Sequence, residues 1–220
     1  MSREPSVGGS EPFYWLIRNA LFITYKVLFQ FRHFGSANVP GVKDPRGVIL
    51  APNHVSYLDP PVLGISLGRR VTFLAKDYLF KHGFVGFILR GIGAYPIKSD
   101  SGNDFRTLRD LIRILKRGAC VTVFPEGTRS NDGNLRAPES GIGFLAMKSG
   151  AWVVPAYIKG SREAMPKGTS GVRMKPVSIF YGEPFLATEE KFGSGSEAYV
   201  AVSGYIMEEI KKLKSLHEAV

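Results

Sequence analysis

The sequence has a single cysteine, Cys120, set in an apolar run, so it reads as a core residue. A disulfide within the chain is excluded, and nothing calls for an oxidising compartment. Four histidines and that one cysteine match no usual zinc-ligand spacing, so no metal site is expected. A signal-peptide pattern is missing too: residues 1–10 are polar and read as a flexible start. No internal repeat or low-complexity stretch is present. Also absent is a run of roughly 20 apolar residues free of charge, as a plain spanning helix requires. Acidic residues are the scarcer charge, with 19 Asp and Glu against 29 Lys and Arg, a formal net charge of +10. Such a surface suits nucleic acid, anionic lipid or phosphorylated substrates. The basic residues read as spread along the chain, with no basic helix, stacking sheet or zinc finger, and a nucleic-acid partner is not expected.

Within 220 residues, 44% of them hydrophobic, one α/β domain with a short appendage is the natural reading. The appendage is Phe13 to Phe34, the most aromatic stretch. Arg18, Lys26, Gln30, Arg32 and His33 fall towards one side of a helix, and Phe13, Leu16, Ile17, Val27, Leu28, Phe31 and Phe34 towards the other. Trp15 and Phe22 sit on the polar side, which two shorter helices with a bend would also explain. Aromatics mixed with Lys and Arg suit the headgroup boundary of an anionic membrane. The plainer alternative is a helix packed on the protein's own core, and a spanning or re-entrant path stays open. The expected organisation is a flexible start over 1–10, an amphipathic helical membrane-anchoring segment over 11–36, and one domain over 37–220.

Beyond residue 46, strand-like and helix-like segments alternate. Val48–Ala51, Val71–Ala75, Val121–Phe124, Trp152–Ile158 and Val177–Tyr181 read as strands. Residues 103–116 and 197–213 carry helical spacing, and 130–141 reads as a loop. This alternation predicts an α/β fold with a mostly parallel central sheet flanked by helices. In such sheets functional loops lie beyond the carboxyl ends of strands.

The first such loop runs from Asn53 to Asp59. Asp59 followed by Pro60 is a helix-start signal, so a turn can bring His54 and Asp59 together. A histidine takes a proton from a hydroxyl near neutral pH, and a carboxylate on its other nitrogen fixes the tautomer. Taken alone, the pair also fits a helix cap beside an ordinary loop histidine. The second loop, Pro125-Glu126-Gly127-Thr128-Arg129-Ser130, offers a flexible glycine and phosphate-suited donors. Glu126 is placed to hold Arg129 or to bind a substrate hydroxyl. Lys76 follows the strand over 71–75, and Lys98 follows the segment 91–97; each alone fits a solvated surface lysine.

Together these loops resemble the glycerolipid acyltransferase family, whose best-known members are the 1-acylglycerol-3-phosphate acyltransferases. Asn53-His54-Val55-Ser56-Tyr57-Leu58-Asp59 matches the family's NHxSxxD motif, and Phe124 to Ser130 matches FPEGTRS. Val153-Val154-Pro155-Ala156-Tyr157-Ile158 is similar to its proline-containing apolar strand. One motif departs: where the family often has FPVDR, this chain has Tyr95-Pro96-Ile97-Lys98-Ser99, so a serine replaces the arginine.

The resemblance implies an acyltransferase domain over 37–220 with His54 as base and Asp59 its partner. Glu126, Gly127, Thr128, Arg129, Lys76 and Lys98 would bind the phosphorylated acceptor, and the Pro155 strand would line the acyl side. It implies direct transfer from acyl-CoA or acyl-carrier protein to the free hydroxyl, sn-2 by resemblance, of a lysophospholipid acceptor. No bound cofactor is implied, and the product would be phosphatidic acid. Glycerol-3-phosphate, another lysophospholipid or a lyso-aminolipid are the alternative acceptors. A non-catalytic lipid-binding protein is the reading from another class. The implied location is the cytoplasmic face of a membrane.

Overall fold

The computed structural model describes residues 11–92, 94–97, 105–169 and 171–218. The runs rich in Val and Ile form the centre of a sheet. Strand β2 (Val48–Pro52) is buried along its whole length. It lies between β6 (Cys120–Thr122) and β7 (Trp152–Lys159), parallel to both. The order is β1 (Arg32–Phe34), β8 (Ser178–Tyr181), β7, β2, β6, β3 (Val71–Thr72). Strand β9 (Phe185–Leu186) also pairs with β7, antiparallel like β8, and the remaining pairs in this sheet are parallel. Strands β4 (Leu74–Lys76) and β5 (Tyr95–Ile97) form a separate parallel pair.

The two faces of β2 read out the layers. Val48 and Leu50 pack towards α1 (Glu11–Phe29) and α2 (Asp59–Ser66). Ile49 and Ala51 pack towards α4 (Phe105–Leu115), α5 (Ser140–Ser149) and α8 (Gly195–Glu218). Each fully buried Leu or Ile, such as Leu63 or Leu111, contributes about 1.5–3 kcal/mol. Helix α3 (Gly83–Gly91) follows β4, and the short α6 (Ser161–Ala164) and α7 (Glu189–Phe192) close the connections. The expected mostly parallel α/β fold is what forms.

The segment read as a helix through Phe34 is helical only to Phe29. Gln30 adopts a left-handed backbone with φ 46°, which ends the helix and turns the chain. Phe31 is then fully buried, and the next three residues pair with β8. Helix α1 is seated on the core by Tyr14, Tyr25 and Phe29. Arg18 donates to the carbonyls of Ile65 (2.8 Å) and Leu67 (3.3 Å) at the carboxyl end of α2. Trp15 and Phe22, the two rings on the polar side, flank the Arg18 guanidinium at 5.6 and 5.4 Å. The opposite face of α1 is apolar and outward: Leu16, Ile23 and Val27 are 65%, 63% and 71% exposed. Among the described residues no helix is long and apolar enough to cross a membrane.

The basic residues are less scattered in space than along the chain. Arg106, Arg109, Arg113, Lys116 and Arg117 are all exposed on α4 and the turn that continues it. At about 3.6 residues per turn they fall within one face. Linear spacing hid this face because Leu108, Leu111, Ile112 and Leu115 interrupt it.

Candidate active site

Strands β2 and β6 are parallel neighbours, so the loops that follow them leave the same end of the sheet side by side. The first loop is held by its own motif. Asn53 donates to the Ile158 carbonyl (3.1 Å) and accepts from the Ile158 amide (2.7 Å), so its side chain extends the β2–β7 ladder by one step. Ser56 Oγ donates to the Met165 carbonyl (2.8 Å) and accepts from the Leu58 amide (3.1 Å). The Tyr25 hydroxyl of α1 donates to the Leu58 carbonyl at 3.2 Å. Burial, then the nearby Asp59 carboxylate, pushes the Tyr25 phenol well above its usual value, so it keeps its proton and stays a donor.

His54 and Asp59 meet, five residues apart, as the turn predicts. His54 Nδ1 lies 2.8 Å from Asp59 Oδ2. The same oxygen accepts the amides of Val55 and Ser56, each at 2.8 Å. Three donors converging on one acceptor put the imidazole proton on Nδ1 and leave the Nε2 lone pair as the basic position. Asp59 is fully buried, and its Oδ1 has no hydrogen-bond partner among the described residues. The His54 ring stacks on Phe124 with centroids 3.7 Å apart, which fixes its plane.

Glu126 joins the two loops. Its Oε1 accepts the His54 amide (2.9 Å) and its Oε2 the Arg136 amide (3.1 Å). The Ser130 amide donates to the His54 carbonyl at 2.8 Å, a second tie between the loops. Burial raises the Glu126 carboxyl above its usual value, and the two amide bonds oppose that rise. Glu126 is 3% exposed and lies behind the wall of the site, with both oxygens engaged by backbone. Among the described residues these oxygens meet backbone amides and not Arg129, and Glu126 is almost closed to solvent.

His54, Lys76, Gly127, Thr128 and Arg129 do line one cavity of about 780 Å³. Gly127 takes φ +66°, and an added Cβ would come within 3.0 Å of Glu139 Cγ, so the tight turn calls for glycine. The Arg129 guanidinium lies over the Tyr57 ring at 3.5 Å. Its buried Nη1 has no hydrogen-bond partner among the described residues. Lys98 and Ser99 lie outside the described residues. Away from the polar end the walls are apolar: Ile17 and Leu21 of α1, Ile88 and Leu89 of α3, Leu111 of α4 and Leu145 of α5. Pro155, expected on the acyl side, is not on this wall; it sits mid-strand in β7, paired with Ala51. Burial pushes the Cys120 thiol up to about 12, which leaves it an inert core residue.

Three residues that matter here carried no separate weight in the sequence. Asn53 and Ser56 could have been found as the other fixed letters of the first motif. Tyr57 had no signal, because its partner Arg129 is distant in the chain.

Residues 32–159 match the family profile described as Acyltransferase. The chain belongs to the acyltransferase family. It is 35% identical over 139 residues to the chloroplastic 1-acyl-sn-glycerol-3-phosphate acyltransferase of Arabidopsis thaliana, covering 63% of this chain and 38% of that protein. The chain thus spans well under half the length of that plant relative. The 1-acyl-sn-glycerol-3-phosphate acyltransferase of Bacillus subtilis is 27% identical over 207 residues, covering 92% of this chain and 97% of that one. The crystal structure of the 1-acyl-sn-glycerophosphate acyltransferase PlsC from Thermotoga maritima superposes with a TM-score of 0.79 at 28% identity, over 94% of this chain and 80% of that one.

Proposed function

We propose that this acyltransferase moves a fatty acyl group from an acyl thioester to the free sn-2 hydroxyl of 1-acylglycerol-3-phosphate, giving phosphatidic acid. The observation that carries the reading is the His54 ring, tied through Nδ1 to Asp59 and set in the wall of a largely apolar cavity beside Arg129. The names of the plant and bacterial relatives support the same acceptor. His54 Nε2 takes the hydroxyl proton as the oxygen attacks the thioester carbonyl. Asp59 stabilises the imidazolium that results. As the carbon–sulfur bond breaks, His54 returns the proton to the departing thiolate. Thr128, Arg129 and Lys76 receive the acceptor phosphate, with Arg129 Nη1, which has no partner among the described residues, the natural donor. Glu126 acts as a positioning residue that holds the two loops in register. No bound cofactor enters the scheme.

The outward faces of α1 and α3 form the membrane contact in this reading. Val85 and Phe87 of α3 are 44% and 56% exposed, and Phe87 packs edge-on against Phe13 at 5.0 Å, so the two apolar faces adjoin. The inner sides of the same helices wall the cavity, which lets a lipid pass from the bilayer to His54. The site then works at the cytoplasmic face, where acyl thioesters are available.

A second reading keeps the chemistry and changes the acceptor headgroup, on the strength of Ser99 standing where the family often has arginine. Presenting 1-acylglycerol-3-phosphate, glycerol-3-phosphate and a lyso-aminolipid side by side with one thioester tests both. Phosphatidic acid as the dominant product supports the first reading. Preference for another acceptor, moved by Ser99→Arg, supports the second.

A further inference from the structure

Helix α4 has two faces with different work. Its inner face carries Leu108 and Leu111, which line the same cavity as His54. Its outer face, with the turn that follows, carries Arg106, Arg109, Arg113, Lys116 and Arg117, all exposed. The sole acid on the helix, Asp110, accepts from the Tyr95 hydroxyl (2.6 Å) and from Arg113 (3.0 Å), so its charge is locally committed. Arg106 and Arg117 hold contacts of their own and Arg113 bonds Asp110, yet five cations against one acid on the helix leave this face a positive ridge. Position narrows what meets it. α1 packs on one face of the sheet and α4 on the other. With α1 against the bilayer, α4 belongs to the layer turned to the aqueous side. A large anionic partner there is a soluble one.

We propose that the outer face of α4 docks a soluble acidic carrier protein that presents the acyl thioester, so that carrier-bound acyl groups are the preferred donor. The inference rests on the acyl-transfer reading above and specifies its donor. Charge complementarity brings the carrier to the ridge, and the helix that receives it also forms the cavity wall, so docking sets the thioester near His54. Free acyl-CoA brings its own phosphates but no extended protein surface, so it engages only part of the ridge and gains less from it.

The test uses the full chain with acyl-carrier protein and acyl-CoA bearing the same acyl group. Arg109→Glu/Lys116→Glu reverses two ridge charges and touches neither the Asp110 contacts nor the cavity. With the carrier, kcat/KM should fall by about tenfold, carried by KM, as expected where like charges replace a complementary pair. With acyl-CoA it should change less than twofold. Arg109→Lys/Lys116→Arg should retain the wild-type preference. Raising ionic strength should slow the wild type on the carrier more than the reversed variant. Equal loss with both donors, or no loss with the carrier, overturns the proposal. So does a wild type that consumes acyl-CoA and ignores the carrier, which leaves the acyl-transfer reading intact. If the reversed variant loses binding to phosphatidylglycerol vesicles and keeps its donor preference, the ridge meets lipid instead. Binding to duplex DNA that the variant loses, without a donor effect, would assign it to nucleic acid. Consumption of neither donor by the wild type strikes the reading on which the inference rests.

Discussion

Asp59→Asn separates the charge at this site from its geometry. The asparagine oxygen can occupy the Oδ2 position and still accept from His54 Nδ1, Val55 and Ser56, each at 2.8 Å in the parent. Its amide nitrogen then takes the Oδ1 position, where no described group competes. Local structure should persist, with a stability loss of about 1–3 kcal/mol as charge-assisted bonds become neutral ones. What vanishes is the attraction between the carboxylate and the imidazolium formed during transfer. At the 2.8 Å separation of the pair and an effective dielectric of about 20, that attraction is about 6 kcal/mol. Each 1.36 kcal/mol is about tenfold in rate, so kcat should fall by roughly 10⁴-fold. Thiol release under saturating donor and acceptor gives kcat, and circular dichroism with urea unfolding checks the fold. A variant that folds and keeps more than a tenth of wild-type kcat would refute the role given to the Asp59 charge.

Arg129→Lys removes both the fork-shaped donor and the planar stack on Tyr57. Acceptor KM should rise about 10-fold or more while the melting temperature moves little; an unchanged KM contradicts phosphate binding there. Ile23→Asp/Val27→Asp places charge on residues already exposed, so stability should change by less than about 0.5 kcal/mol. Sedimentation with anionic vesicles should fall sharply, and undiminished binding would remove α1 from the membrane contact. Glu126→Gln trades one amide acceptor for a donor against backbone N–H groups, at a cost of about 1–3 kcal/mol at neutral pH. Because the folded Glu126 carboxyl is raised, its protonation favours the folded chain. That contribution is complete below the ordinary value of about 4.3 and is lost as pH rises through the raised folded value. Wild type should therefore gain stability over the glutamine variant on acidification through this window, and a pH-independent difference would contradict it.

Much of the sheet was legible because buried parallel strands are near-continuous β-branched runs, as in β2, β6 and β7. Strand β1 was not, since Arg32-His33-Phe34 continues the helical pattern and only the left-handed Gln30 separates them. The stretch over 71–75 divides after Thr72: β3 joins the main sheet, while β4 pairs with β5. Helix α5 escaped because its glycines weaken the helical signal. Gly143 is needed there, since an added Cβ would collide with the Tyr199 carbonyl of α8. At the site, the meeting of His54 with Asp59 follows from a local turn and could be read directly. The tasks of Glu126 and Asn53 depend on which strands are neighbours, and sequence spacing does not carry that information. The α4 ridge was hidden for a related reason, since charges one turn apart are adjacent only once the helix forms.

In the proposed reaction His54 draws a proton from a lipid hydroxyl and so passes an acyl group to it. Purified wild type and His54→Ala, given an acyl thioester and 1-acylglycerol-3-phosphate, test it through free thiol and lipid product measured together. Equal amounts of thiol and phosphatidic acid are expected from the wild type, and neither above background from a variant that remains folded. Near-normal turnover by His54→Ala, or thiol released without an acylated lipid, would contradict it.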